Sequence, residues 1–189
     1  MKISLYGNCQ TRALFFYIKK LQPKAQIKWL CSDRFFDQSK HEWAWDQCFH
    51  GQSVESIYEA QKSINLIRQS DLIIYQNIKP ETSPQLNQEI IKKNAKTTAK
   101  LINIASYYYD HTLENPLDGM ICREKLHPPT ISAVQLIKNN PRISSLHAAN
   151  HPNSDYFIDL CDSICSIMNW QKFTLHQRSE LILNGYPFG

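Results

Sequence analysis

Residues Leu72-Ile73-Ile74-Tyr75 form an unbroken apolar run, without the alternation expected of a strand that keeps one wet face. A run of that length suits a strand buried on both sides, as in the centre of a parallel sheet covered by helices. The surrounding segments carry the complementary pattern. Ile3 to Tyr6 reads as a short buried strand, and Gly7-Asn8 turns it into a helix over Gln10 to Leu21 with Ala13, Leu14, Phe16, Tyr17 and Ile18 as its apolar face. Pro23 stops that helix, and Gln26-Ile27-Lys28-Trp29-Leu30 alternates as a second strand. A helix from Val54 to Arg68 leads into the apolar run, the third strand in this reading. A helix over about Ser83 to Asn94 then precedes a fourth strand, Lys100 to Ala105. This alternation predicts an α/β fold: a single domain over residues 1–189 with a doubly wound parallel sheet flanked by helices.

The remainder is less regular. Between Ser32 and Ser53, Phe35, Phe36, Trp43, Trp45 and Phe49 follow no period, so the aromatic segment 33–50 reads either as a lid or as an irregular cover of the core. A helix over about Thr130 to Asn139 is closed by Pro141. The last strong helix starts after His151-Pro152-Asn153, capped by Asn153 or Ser154, with Phe157, Ile158, Cys161, Ile164, Cys165 and Met168 as its buried stripe.

Composition narrows the function classes. The net charge of +4 is spread along the chain without a basic run, which disfavours nucleic acid but leaves room for a phosphorylated small ligand. No segment approaches the roughly 20 apolar residues that span a bilayer, and the N-terminal residues resemble a strand more than an export signal. The expected location is therefore cytoplasmic, and the six cysteines are expected to be reduced thiols. Cys161 and Cys165, four apart among apolar neighbours, suit core positions on one helix face. Neither GxGxxG, a P-loop, HExxH nor a recognisable carboxylate pair occurs, and no metal is expected.

In an open parallel sheet, ligands bind beyond the carboxyl ends of the strands, where helix N-termini converge. Three polar clusters fall at such ends: Gly7-Asn8-Cys9-Gln10, Gln76-Asn77, and Ser106 to His111. Cys9 stands where a helix begins, and the positive end of the helix favours its thiolate. Gly7 permits the tight turn, while Asn8 and Gln10 offer amide donors to an oxyanion or a ligand carbonyl. Asn77 is a candidate donor to a tetrahedral intermediate. Of seven histidines, His151 is the first candidate for the base a cysteine nucleophile needs, followed by His147 and His111. His41, His50, His127 and His176 read as surface or loop residues. Arg12 and Lys79, near the strand ends, are candidates for pairing with phosphates. Each of these residues also has a plain structural reading: Cys9 as filler beneath the turn, Asn77 as a turn residue, the basic residues as solvated surface.

Gly7-Asn8-Cys9-Gln10 after a strand, Ile74 to Pro80, Ile102 to His111 and His151-Pro152-Asn153 before the last helix occur in an ordered combination that resembles the WcbI-type capsular polysaccharide biosynthesis enzymes. The resemblance covers most of the chain. It implies an SGNH/flavodoxin-like three-layer arrangement, coenzyme A or acetyl-CoA as co-substrate, and O-acetylation of a sugar, with a glycan or nucleotide-sugar acceptor. It sets Cys9 where SGNH enzymes keep a nucleophilic serine, Asn77 at their third-block asparagine and His151 at their C-terminal histidine. Those enzymes carry an aspartate three residues before that histidine; this chain has Ala148, which fits a Cys-His dyad better than a serine triad. Two alternatives stand beside acetyl transfer: an SGNH-like esterase or thioesterase, and a non-catalytic module that binds coenzyme A or a glycan.

Overall fold

The computed structural model describes residues 1–31, 51–53, 57–78, 86–107, 114–115, 117–144 and 152–184. Their elements run β1 (Lys2–Gly7), α1 (Cys9–Leu21), β2 (Gln26–Cys31), β3 (Gly51–Ser53), α2 (Ile57–Gln69), β4 (Leu72–Gln76), α3 (Gln88–Asn94) and β5 (Lys100–Ile104). After these come α4 (Asp118–Leu126), α5 (Ala133–Asn139), a 3-10 turn (Pro141–Ser144), α6 (Ser154–Met168) and α7 (Leu175–Asn184). The strands form one sheet in the order β3-β2-β1-β4-β5. It is parallel throughout, with Leu5 opposite Trp29 of β2 on one side and Ile74 of β4 on the other. The α/β class and the doubly wound sheet are as the sequence predicts.

The chain packs as two compact units, one of Met1–Phe15 with Lys24–Asn103 and one of Phe16–Pro23 with Ile104–Gly189. In the first, alternate residues of each strand serve opposite faces of the sheet. Tyr6, Leu30, Ile73 and Tyr75 pack with Ile67 of α2, Ile91 of α3 and Leu86, which precedes α3, in one buried cluster. Ile3, Leu5, Trp29, Leu72 and Ile74 are equally buried. Trp29 Nε1 donates to Thr11 Oγ1 of α1 at 2.9 Å, which marks the opposite face as the one α1 covers. Each such aliphatic side chain contributes about 1.5–3 kcal/mol of burial.

The second unit is built around α6. Tyr17 stacks on Phe157 at 5.4 Å, and Tyr107 meets Tyr156 edge-on at 5.3 Å. Ile158, Cys161, Ile164 and Cys165 complete the buried side of the helix, while Met168 is only half-buried. Asn153 is the N-cap, its side chain accepting from Tyr156 N. Arg178 of α7 forms a close ion pair with Asp162 and lies 3.8 Å from Asp159.

Several boundaries differ from the sequence reading, for local reasons. β3 pairs with the outer edge of β2 and makes the apolar run the fourth strand; three residues are too few to show a period. The helix expected over 83–94 is described from Gln88, because Asn87 caps it by accepting from Glu89 N and Ile90 N. That expected over 130–139 begins at Ala133 behind the Ser132 cap, while Ile131 pairs with Ile104 in a parallel bridge. In α1, Phe15 is buried and Phe16 half-buried, with the Lys20 ammonium 5.0 Å above its ring. Helices α4 and α7 have no counterpart in the sequence reading. Each buries a single residue, Met120 or Leu181, so neither shows an apolar stripe. The aromatic segment 33–50 lies outside the described residues.

Candidate active site

β1 pairs with β2 on one side and β4 on the other, so the chain leaves β1 in one direction and later returns to its opposite flank. The connections after β1 and β4 therefore part at this point, which is where open parallel sheets hold ligands. Gly7-Asn8-Cys9-Gln10 follows β1 here, and Gln76 ends β4.

Gln76 holds the turn. Its side chain is buried, with Oε1 accepting from the Asn8 backbone N–H at 3.0 Å and Nε2 donating to Gln10 Oε1 at 3.1 Å. Gly7 makes that approach possible: its φ is +157°, and a Cβ there would lie 2.4 Å from Gln76 Oε1 and 2.6 Å from Thr11 Cγ2. Asn8 then starts the helix. Its Oδ1 accepts from Gln10 N at 2.9 Å, and its carbonyl accepts from Thr11 N at 3.0 Å, Arg12 N at 3.3 Å and Thr11 Oγ1 at 2.8 Å. Because Thr11 Oγ1 also accepts from Trp29 Nε1, the turn is tied to β2 as well as to β4.

Cys9 is the first residue of α1, half-buried and outside any disulfide. The positive end of a helix dipole favours negative charge, which is the setting a thiol nucleophile or an anionic ligand uses. Arg12 is half-buried one turn further along α1. Asn77 belongs to a second amide group: Asn103 Nδ2 donates to Asn77 Oδ1 at 2.9 Å and to the Tyr75 carbonyl at 3.0 Å. Asn103 is buried in β5, so the end of β4 is tied to β5 on one flank and to the β1 turn on the other.

Thus Gly7, Asn8, Cys9 and Gln10 are brought together as one turn, with Arg12 on the same helix, and Asn77 is joined to Asn103. His151, Lys79 and His111 lie outside the described residues, as do His147, His41 and His50. His127 is exposed at the end of α4, and His176 is exposed 3.6 Å from Glu180, as expected of surface residues. Among the described residues no group of three or more His, Cys, Asp or Glu side chains is placed to hold a metal ion. No described helix is long and apolar enough to cross a membrane.

Sequence reasoning missed two contributors, Gln76 as the clamp and Asn103. The signal for Gln76 is the period of β4: Leu72, Ile74 and Gln76 share a face, and the register that sets Leu5 against Ile74 carries Gln76 to the level of Gly7. A glycine facing a long polar side chain across two strands is a place where the backbone itself is gripped. Asn103 had no such signal, since its partners come from β4. No protein-family model matches the sequence, and no curated protein matches it, so the reading of this turn rests on its own geometry.

Proposed function

We propose that the protein is an acyltransferase that moves an acetyl group from acetyl-CoA to a sugar hydroxyl in surface-polysaccharide assembly, the activity implied by its resemblance to the WcbI-type enzymes. The observation that carries the reading is Cys9 as the first helical residue at the switch point of a parallel sheet, half-buried in a turn gripped from both neighbouring strands. In this reading the Cys9 sulfur attacks the thioester carbonyl. The C–S bond to coenzyme A breaks, and coenzyme A leaves as its thiol with the proton that Cys9 gave up to His151. The sugar hydroxyl then attacks the acetyl-cysteine, His151 takes its proton, and the cysteine sulfur leaves and is reprotonated. Gln10, Asn8 and Asn77 are the candidate donors to the oxyanion. Arg12 and Lys79 are assigned to the phosphates of coenzyme A, and His111 to the bound substrate. Acetyl-CoA as donor places the reaction in the cytoplasm, with a glycan or nucleotide-sugar as acceptor.

Intact-mass measurement after single-turnover mixing with acetyl-CoA tests this: an acetyl adduct forms on the native protein and is absent from Cys9→Ser. Coenzyme A at about 100 times its Kd should also stabilise the fold by about 2.7 kcal/mol. Absence of both the adduct and the stabilisation would overturn the proposal. Acetyl-CoA consumed by water at an undiminished rate in Cys9→Ser would favour the esterase or thioesterase alternative.

A further inference from the structure

No stretch of the sequence is strongly basic, yet the sheet gathers cations at one of its ends. The strands begin level with one another. Lys2 of β1 lies opposite Gln26 of β2, the Asp71 N–H just before β4 donates to the Lys2 carbonyl at 2.8 Å, and the Lys100 N–H of β5 donates to the Asp71 carbonyl at 2.9 Å. The starts of β2, β1, β4 and β5 therefore form a row about 15 Å wide. Lys2, Lys24 in the turn before β2, and Lys100 stand along it, all exposed. Helices α2 and α3 finish at the same end, where Arg68 bonds Asn94 Oδ1 at 2.8 Å and Lys2 Nζ donates to Gln69 Oε1 at 2.9 Å. Their last turns add Arg68, Lys92 and Lys93, exposed as well.

One carboxylate is bound into this end. Asp71 accepts from Lys96 Nζ at 2.5 Å and from the Lys2 backbone N–H at 2.7 Å, so its charge is matched by Lys96. Even with Glu89 set against Lys93 one turn further along α3, Lys2, Lys24, Arg68, Lys92 and Lys100 are joined to no carboxylate among the described residues. The whole chain carries a net charge of only +4, so this end concentrates what the sequence spreads. Helix dipoles explain part of the pattern, since Arg68, Lys92 and Lys93 meet the negative ends of their helices. They do not explain Lys2, Lys24 and Lys100, which belong to no helix.

We propose that this end of the sheet docks on an anionic membrane surface, with its lysines against the phosphates of lipid headgroups. A level row of strand starts matches a plane, and each basic residue near such a surface strengthens binding by about five-fold. Nucleic acid fits less well. All but one of the exposed cations are lysines, which meet phosphate as point charges without the fork of arginine, and among the described residues this face holds no aromatic side chain on which a base could stack. The proposal is independent of the acyl-transfer reading. Where both hold, the Cys9 turn stands at the far end of the six-residue β1, roughly 20 Å from the headgroups, where co-substrates arrive from water.

Sedimentation of the whole chain with lipid vesicles tests this. Phosphatidylcholine vesicles with about 30 % phosphatidylglycerol should bind the protein at least about 10²-fold more tightly than phosphatidylcholine alone, and about 0.5 M salt should abolish the difference. Lys24→Glu, Lys92→Glu and Lys100→Glu together should lower the binding by at least about 10²-fold. The same change of net charge on exposed lysines of the other unit, Lys125→Glu, Lys138→Glu and Lys172→Glu, should leave it within about 5-fold of the native value. Equal losses in the two triple variants would reduce the effect to net charge and overturn the proposal, as would anionic vesicles that bind no better than neutral ones. Tighter binding of a DNA duplex than of the anionic vesicles, lost in the first triple variant, would overturn it in favour of nucleic acid. If the first triple variant does not fold, Lys24→Gln, Lys92→Gln and Lys100→Gln together carry the test: a loss of at least about 10-fold is expected, and undiminished binding overturns the proposal.

Discussion

Cys9 and the pair Cys161 and Cys165 are the same residue type in opposite settings. Cys9 opens α1 at a strand end, half-buried beside buried carboxamides. Cys161 and Cys165 lie within α6, both fully buried on its core side. Burial pushes the Cys161 thiol well above its ordinary value, and nearby Cys165 adds to the effect; burial also raises Cys165, with Lys172 acting the other way. A thiol in a helix interior has its neighbouring backbone amides already bonded, so desolvation decides its behaviour, whereas one at a helix start stands at the positive end of the helix dipole. Position along a helix thus separates a reactive candidate from a packing group.

The largest effect that would sharpen this contrast is chemical. Iodoacetamide should label Cys9 and the exposed Cys122 at least about 10³-fold faster than Cys161 and Cys165, whose modification requires the unit to open. Peptide mapping over a time course checks this, and comparable rates at all four thiols would erase the distinction. Gly7→Ala should come next, destabilising by about 3 kcal/mol, because the added carbon meets Gln76 and Thr11 at a positive φ. Urea unfolding measures it; a neutral result would mean that the turn is not gripped as described.

Thr11→Val should cost about 1–3 kcal/mol, since the Trp29 indole N–H loses its acceptor while buried. Thr11→Ser, which keeps the oxygen, should retain most of that stability in the same urea assay. The smallest effect concerns pH and belongs to the other region. Cys161, Cys165 and Tyr17, the last pushed up to about 12 mainly by burial and partly relieved by Ser154, ionise less readily folded than unfolded. Such groups contribute stability that is complete below their unfolded values and is lost as pH rises toward the folded ones. Unfolding midpoints should therefore fall above about pH 9 for the thiols and above about pH 10 for the phenol. Tyr17→Phe should flatten the decline between pH 10.0 and about 12 by at most about one proton's slope.

The first βα unit was legible in the sequence as strand, turn and helix, because an apolar strand and a glycine at the turn are local signals, although the helix starts one residue earlier, at Cys9, and buries Phe15 where Phe16 was expected. The buried stripe of α6 was legible for the same reason. Helices α4 and α7 were not, since each offers the core a single residue and presents Leu126, Leu175 or Leu183 to solvent. At the site, the turn and its cysteine were found, and of the pair at the end of β4 Asn77 was singled out, as a donor to a tetrahedral intermediate, whereas Gln76 is the one that grips the turn and Asn77 meets Asn103. Two adjacent amides look equivalent along a chain. They differ only in which face of the strand they serve.

The amino-acid sequence by itself determined the kinds of element and the polar residues at their ends, because hydrophobic period and capping act over a few neighbouring residues. Tertiary structure alone decided that β4 returns beside β1, and with what register. The bond between Gln76 and Gln10 joins residues 66 apart, and that between Asn8 and Gln76 residues 68 apart. Such pairings depend on strands buried on both faces, whose local pattern favours no particular neighbour.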